Sequence, residues 1–240
     1  MNLINTPGMV VRAQGLPRPL RDFGLIAFDM DSTLINIECI DEVADAAGRK
    51  TEVAAITEAA MRGEIADFKE SLRRRVAMLK GVPESALYQV FEQRLRLNPG
   101  AAELVTASKA AGLKVLLVSG GFTFFTDRVR DMLGIDYTRS NVLEVVDGHL
   151  TGGLVNQAWG DICDGLEKRR MLLDTCAALG LQPSQAIAVG DGANDLPMMQ
   201  ACAQAGGLSV AFHAKPKVRE QALISIEDGG LDRLLEVVLT

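Results

Sequence analysis

Four short apolar segments of the chain are separated by helical patterns, and three of them end in polar, acidic or glycine-containing residues. The apolar segments are Leu25–Phe28, Lys114–Val118, Ala186–Val189 and Leu208–Ala211. Apolar runs of this length are typical of strands that are buried on both faces. The helical patterns cover Ala101–Ala111, Phe124–Leu133 and Lys168–Leu179. Strands that alternate with helices predict a three-layer α/β fold, in which an open parallel sheet lies between two layers of helices.

Three of the predicted strands are followed by residues suited to phosphate chemistry. Asp29 and Asp31 follow the first strand, Ser119-Gly-Gly121 follows the second and Asp191-Gly-Ala-Asn-Asp195 follows the third. In such sheets ligands bind outside the carboxyl ends of the strands, so we expect these residues to meet. Two neighbouring carboxylates can supply a nucleophile and a proton donor. Carboxylate and amide oxygens are also the ligands that Mg²⁺ prefers.

Each motif by itself also has a simpler interpretation. Acidic pairs cap helices, and Ser119-Gly-Gly121 is compatible with an ordinary turn. Asp195 could cap a helix that begins near Leu196. The run Glu167–Arg170 is typical of a solvated helix face, although one of its cations could instead point back to a phosphate group.

Taken in this order, the motifs resemble the haloacid dehalogenase superfamily. That pattern is an Asp-x-Asp-x-Thr strand end, a Ser or Thr strand end, a Lys and an acidic Gly-Asp-x-x-x-Asp loop. Further segments resemble the phosphoserine phosphatase family within it: Phe28–Leu34, Glu38–Glu42, Ser71–Val76, Ser119–Phe122, Val146–Gly148, Leu150–Gly152 and Val189–Asp195. The resemblance extends from about residue 25 to about residue 235 and implies a Rossmann-like core with a small inserted helical cap.

The resemblance implies hydrolysis of O-phospho-L-serine, the last step of serine biosynthesis, through an aspartyl-phosphate intermediate. Asp29 is then expected to be the nucleophile. Asp31 is expected to protonate the leaving serine oxygen and then to take a proton from water. Ser119 and Lys168 are expected to hold phosphate oxygens, with help from the backbone amide of Gly120.

The resemblance also implies a Mg²⁺ site. The carboxylates of Asp29 and Asp191 and the backbone carbonyl of Asp31 are the expected ligands. Asn194 and Asp195 are expected to shape the surroundings of the metal, and Asn194 is also an expected substrate-binding residue. Positive charge is needed here because an anionic carboxylate otherwise repels a phosphate dianion.

The segment between the first two strands is too long for an ordinary crossover and has helical periodicity. It predicts a helical cap over residues 38–97, between a core of residues 22–37 and 98–240, with residues 1–21 as an N-terminal extension. The resemblance implies that this cap recognises the substrate. Glu38 would meet its ammonium group and Arg75 its carboxylate, with Met61 and Phe68 as apolar lining. From the residues alone, Arg73-Arg-Arg75 could equally be a solvated helix face.

Two segments are longer than the family pattern. The connection from Met61 to Phe68 has about one additional residue, so the register of the cap loop is open. The stretch before Lys168 has about four additional residues and contains Asn156-Gln-Ala-Trp159. This insertion leaves open which of the cations at 168–170 reaches the phosphate. Trp159 could pack a longer hairpin, contact the cap or change which ester fits.

Composition narrows the class of partner. The net charge of −6, without a compensating basic run, disfavours general nucleic-acid binding, and no apolar stretch is long enough for a bilayer. Four cysteines without Cys-x-x-Cys spacing and only two histidines disfavour a zinc site and favour reduced thiols in the cytoplasm. We therefore expect a small-molecule substrate and a monomer or homodimer.

Two alternatives to this function remain. A phosphatase or phosphotransferase that acts on another small phosphorylated metabolite, such as phosphohomoserine, would use the same catalytic residues. A non-catalytic phosphate-binding module should lack Asp29, Asp31 or the acidic third loop, and this chain retains all three.

Overall fold

A mostly parallel sheet forms the centre of this computed structural model, which describes residues 5–61 and 67–239. The strands are β1 (Asn5–Thr6), β2 (Met9–Val11), β3 (Arg18–Pro19), β4 (Leu25–Phe28), β5 (Lys114–Phe122), β6 (Tyr137–Val146), β7 (His149–Val155), β8 (Ala186–Gly190), β9 (Leu208–Phe212), β10 (Ile224–Ile226) and β11 (Val238–Leu239). Nine of the described strands form one sheet, in the order β1-β2-β10-β9-β8-β4-β5-β6-β7. The strands from β10 to β6 are parallel, and antiparallel strands complete both edges.

Helices cover both faces of the sheet, and the side chains of β4 show why. Ile26 and Phe28 pack into one apolar cluster, while Leu25 and Ala27 point to the opposite face and join another. The helices are α1 (Cys39–Ala46), α2 (Lys50–Met61), α3 (Phe68–Ala77), α4 (Ser85–Gln93), α5 (Ala101–Ala110), α6 (Thr123–Leu133), α7 (Gly165–Ala178), α8 (Leu196–Ala205) and α9 (Pro216–Gln221). Buried residues of α5 and α6 belong to the first cluster, and those of α7, α8 and α9 belong to the second. The predicted three-layer α/β architecture is confirmed.

Helices α1 to α4 form the inserted helical cap that the sequence predicts. They lie between β4 and α5 in the chain, and α1 contacts both α2 and α4. The connection between α3 and α4 is bonded to the β6–β7 hairpin: the Gly81 amide donates to the Leu150 carbonyl at 2.7 Å, and the Leu150 amide donates to the Val82 carbonyl at 2.8 Å. We propose residues 38–97 as the bounds of this cap. Within the described ranges, no helix combines the length and apolar character needed to cross a bilayer.

The segment that the sequence sets apart as an N-terminal extension, residues 1–21, packs on the core over its described part. β2 pairs antiparallel with β10, and β3 pairs with β11. Met9 and Val11 are buried, so this edge of the sheet takes apolar side chains from the start of the chain. The extension is therefore part of the same packed unit as the core.

Two element boundaries differ from the sequence prediction by more than one residue. β5 continues through Ser119 to Phe122, with a shift of register after Val118, where the sequence predicts a loop. α7 begins at Gly165 rather than at Lys168, because the Asp164 side chain accepts a hydrogen bond from the Glu167 amide at 2.9 Å and caps the helix there.

Candidate active site

The predicted nucleophile, Asp29, lies at the carboxyl end of the central strand β4. Its backbone amide donates to the Val189 carbonyl at 3.0 Å, which continues the pairing between β4 and β8. β5 flanks β4 on the other side and brings in Ser119, and Asp191 follows β8 directly. The parallel register therefore brings the three predicted strand-end motifs to one place.

A tight turn over Met30–Leu34 holds the second aspartate. Asp31 and Ser32 depart from helical geometry there, and Ser32 has a φ of 58°. The side-chain amide of Asn98 fixes this turn, because it donates to the Thr33 carbonyl at 2.8 Å and to the Ile35 carbonyl at 3.0 Å. Sequence reasoning missed Asn98. Asn98 lies 65 residues from Thr33 along the chain, in a segment whose sequence predicts only a turn.

Lys168 is the cation of the 168–170 run that reaches the site. It is fully buried, and its ammonium lies 2.7 Å from Asp29 Oδ1 and 2.7 Å from Asp195 Oδ1. Arg169 and Arg170 are exposed. Burial alone would lower the pKa of Lys168, but the charges of Asp195 and Asp29 outweigh that effect and raise it. The ammonium is therefore a permanent charge beneath the nucleophile, and its predicted contact with phosphate stays a prediction.

Asp195 organises the acidic loop and does not cap α8 with its side chain. Its Oδ2 accepts hydrogen bonds from the Asp191 amide at 3.1 Å and from the Gly192 amide at 3.0 Å. Gly190 makes room for this carboxylate, since a Cβ at that position would collide with the Asp195 side chain. Asp195 therefore occupies the N-cap position of α8, as the simpler interpretation expects, but its side chain bonds to the acidic loop and not to α8.

Three carboxylates at the end of the sheet could hold a metal ion. Asp29, Asp191 and Asp195 each offer an oxygen, and these oxygens lie within 4.8 Å of one another. Burial, and then the charge of Asp195, raises the pKa of Asp29 and brings that of Asp191 to about 7. The ammonium of Lys168, bonded to Asp29 and Asp195, does not balance three carboxylates, so this donor set fits a hard divalent cation. Because both oxygens of Asp195 already have partners, Asp29 and Asp191 are the better ligands.

Asp31 has the properties of a proton donor. Burial, and then the charge of Glu38, raises its pKa to about 8. Its Oδ1 is buried without a hydrogen-bond partner, and the residue lines the cavity above Asp29. A carboxyl group of this kind keeps its proton at neutral pH and can give it to a leaving oxygen.

The Ser119 segment is held from two sides. Ser119 is buried, and its hydroxyl accepts a hydrogen bond from the Gly121 amide at 2.8 Å. The Asn141 side chain donates to the Gly120 carbonyl at 2.8 Å and accepts from the Cys163 amide at 2.8 Å. Asn141 thus links this strand end to the loop before α7, a role that no local sequence pattern indicates.

A cavity of about 650 Å³ lies between the strand ends and the cap. Helix α3 contributes Phe68, Ser71, Leu72 and Arg75 to its wall, at the spacing of one helix face. The three consecutive arginines diverge: Arg73 meets Asp161, Arg74 pairs with Glu70 on α3 itself, and Arg75 reaches the cavity. The alternative of one solvated arginine face is therefore wrong.

Glu38, directly before α1, and Arg75, on α3, line the same cavity. Glu38 is the N-cap residue of α1, but its side chain makes no capping hydrogen bond and instead accepts one from the Ser32 hydroxyl at 2.8 Å. The Arg75 Nε is buried without a hydrogen-bond partner, and among the described residues no carboxylate forms an ion pair with this arginine. Asp41, which sequence reasoning missed, also lines the cavity. Burial raises its pKa while the charge of Arg75 opposes the rise.

The other predicted site residues are placed as follows. Phe68 approaches Gly120, and a Cβ at that glycine would lie 3.0 Å from the phenyl ring. Asn194 lines the cavity, and so does Lys215, which sequence reasoning missed. The side chain of Met61 lies outside the described part of the chain.

Residues 26–200 match the family model of the haloacid dehalogenase-like hydrolases. The chain belongs to this family. The hydrolase is 72% identical to a phosphoserine phosphatase of Polaromonas sp. strain JS666, over 97% of both chains.

Two solved phosphoserine phosphatase structures also resemble the hydrolase. One carries a phospho-aspartyl intermediate analogue and the other is a substrate-bound complex. Each is 39% identical, with a TM-score of 0.80 over 89% of this chain and 98% or 97% of the solved one. The sequence and the fold of this chain thus both match these phosphatases over 89% of its length.

Proposed function

We propose that this hydrolase cleaves O-phospho-L-serine to serine and phosphate, as the last step of serine biosynthesis. The observation that carries the proposal is one cavity that combines Asp29, Asp31 and Ser119 at its floor with Glu38 and Arg75 in its cap wall. The first three suit phosphoryl transfer, and the other two suit the charged ends of an amino acid. The names of the relatives support the same substrate.

In the proposed reaction Asp29 attacks phosphorus, and the bond between phosphorus and the serine oxygen breaks. Asp31, protonated at neutral pH, donates its proton to the departing oxygen. The same carboxylate then takes a proton from water, which attacks the aspartyl phosphate and regenerates Asp29. Ser119 and the Gly120 amide hold phosphate oxygens. Lys168 beneath Asp29 offsets the charge that accumulates as the two anions approach.

We propose Mg²⁺ as the metal. The carboxylates of Asp29 and Asp191 and the backbone carbonyl of Asp31 would hold it, while Asp195 keeps the loop in shape through its bonds to Lys168 and two amides. When bound, the ion supplies positive charge that reduces repulsion between the phosphate and the nucleophile.

Recognition of serine depends on the two ends of its zwitterion. A guanidinium binds a carboxylate through two parallel hydrogen bonds, and the unpaired Nε of Arg75 is free for such a contact. Glu38 supplies the opposite charge for the ammonium, and Ser32 holds its carboxylate. Phosphate esters without these charged groups would lose both interactions.

The test is the Arg75→Ala variant, compared with Arg74→Ala as a matched control on the same helix. Loss of Arg75 should lower kcat/KM for L-phosphoserine by roughly 100-fold, as expected for a buried charge-assisted pair. Turnover of p-nitrophenyl phosphate, which has no amino-acid group, should be retained. Arg74→Ala should leave both activities unchanged, since Arg74 pairs only with Glu70 among the described residues.

An equal loss for both substrates in Arg75→Ala would count against the recognition role. If the wild-type protein prefers phosphohomoserine or another ester, phosphoserine is not the substrate, but the proposed role of Asp29 as the nucleophile stands.

A further inference from the structure

We propose that Asp161 is a positioning residue, which holds cap helix α3 over the active site through Lys69 and Arg73. The inference rests on the proposed function and extends it to the loop between β7 and α7. Asp161 Oδ1 lies 2.9 Å from the Lys69 ammonium, and its Oδ2 contacts the Arg73 guanidinium. Lys69 also lies 3.8 Å from Asp164 Oδ2. Ion pairs therefore join the loop between β7 and α7 to cap helix α3.

The geometry of α3 gives this contact its consequence. Phe68, Leu72 and Arg75 line the cavity, while Lys69 and Arg73, four residues apart, occupy the adjacent face. Because both faces belong to the same rigid helix, a contact that fixes Lys69 and Arg73 also fixes the cavity-lining side chains of that helix. Glu70 and Arg74 pair on a third face, and among the described residues their side chains form no hydrogen bond or ion pair with the core.

The two ends of α3 are held by different kinds of contact. Near its C-terminal end the cap is joined to the β6–β7 hairpin by backbone hydrogen bonds at Gly81, Val82 and Glu84, with lengths of 2.7–2.9 Å. Between Lys69 and Arg73, the polar contacts of α3 with the core that the described residues show are those with Asp161 and Asp164. Together with the apolar contacts of Leu72 and Val76, Asp161 would thus fix the stretch of α3 that Phe68 and Arg75 flank.

Asp161 itself is anchored on the core side. The Ile162 amide donates to Asp161 Oδ1 at 2.9 Å, and Ile162 and Cys163 are both buried. The Cys163 amide donates to Asn141, whose side chain also donates to the Gly120 carbonyl. Asp161 thus connects the cap helix to the strand end that carries Ser119.

The strength of the contact suits positioning rather than permanent attachment. The side chains of Lys69, Asp161 and Arg73 are 32%, 40% and 54% exposed, so water and salt weaken their attraction. Removing the charge should therefore shift substrate affinity without unfolding the cap. The expected change is a rise in KM for phosphoserine of roughly three- to tenfold, with kcat within about twofold of wild type.

The experiment compares Asp161→Asn, Lys69→Met, the double variant and Glu70→Gln. KM for phosphoserine should rise in both charge variants, and the double variant should show less than the product of the two effects. KM for p-nitrophenyl phosphate should rise less, since that ester has no group for Arg75. Glu70→Gln, which breaks an ion pair within α3, should match wild type. Asp161→Glu should restore most of the lost affinity.

Hydrogen exchange in the unliganded protein gives a readout that is independent of substrate. Amides of residues 70–76 should exchange several-fold faster in Asp161→Asn, while those of α6 should not change. An unaltered KM with unaltered exchange, or equal rises in KM for both substrates, overturns the proposal. If wild-type protein does not cleave phosphoserine, the proposed function fails, and the exchange rates still decide whether Asp161 holds α3.

Discussion

At the scale of single residues, the charge balance of the site depends on one buried lysine among several carboxylates. Lys168 is fully buried and bonded to both Asp29 and Asp195. A buried ammonium in this position keeps its proton, because the two carboxylates favour the charged form more than burial opposes it. Arg169, next along α7, is exposed and has no comparable role.

Lys168→Met should therefore reduce kcat/KM for phosphoserine by at least roughly 100-fold, the scale expected when one preorganised charge is removed from a phosphoryl-transfer site. Arg169→Met serves as the matched control and should stay within about twofold of wild type. Steady-state kinetics measure both, with circular dichroism to establish folding. Comparable activity of the two variants would mean that Lys168 is not part of the catalytic machinery.

At the scale of secondary-structure elements, strand ends could be predicted from the sequence and the contacts that fix them could not. Short apolar runs followed by Asp, Ser or Gly identify β4, β5 and β8, because burial on both faces and a polar carboxyl end leave a local signal. Asn98 and Asn141 left none, since each bonds to backbone carbonyls in segments remote along the chain. The sequence predicts that α7 begins at Lys168, because the low helix propensity of Gly165 obscures the capping role of Asp164.

Asn98 carries the prediction at this scale. Its side chain satisfies carbonyls of the turn that holds Asp31, so Asn98→Ala should lower the free energy of unfolding by about 1–3 kcal/mol. The substitution should also reduce kcat, because the turn would no longer hold Asp31 in a fixed position. Asn156→Ala is the matched control, at an exposed position, and should change neither quantity. Urea unfolding and steady-state kinetics provide the measurements, and equal stability of the two variants would contradict the role of Asn98.

At the scale of the whole molecule, the fold gathers its acidic groups where the cap helices meet the ends of the strands. The cap covers the carboxyl ends of β4, β5 and β8, so Asp29, Asp31 and Asp191 are withdrawn from solvent and their pKa values rise. A carboxyl whose pKa is raised by folding favours the native state at low pH. That contribution is lost as pH rises from its ordinary value of 3.8 towards, for Asp191, about 7. Without a metal, these groups therefore destabilise the protein at neutral and alkaline pH.

Mg²⁺ should offset this loss. Chelator-treated protein should show a higher Tm when Mg²⁺ is added, by an amount that corresponds to about 2.7 kcal/mol at 100 times the Kd. The rise should be larger at pH 8.5 than at pH 6, since a proton on Asp191 competes with the ion below about pH 7. Differential scanning calorimetry of wild type and Asp191→Asn tests this. A rise that persists in Asp191→Asn, or that is greater at pH 6, would contradict the assigned ligands.

The central claim, that the Asp29 chemistry and the Glu38–Arg75 cap wall act on one substrate, is tested most directly by phosphate release. Wild-type protein and Asp29→Asn would be given L-phosphoserine, phosphohomoserine and several sugar phosphates, with Mg²⁺ and with chelator. The account predicts Mg²⁺-dependent release with a strong preference for L-phosphoserine, and none from Asp29→Asn. Normal release by Asp29→Asn, or an absence of preference among the esters, would contradict it.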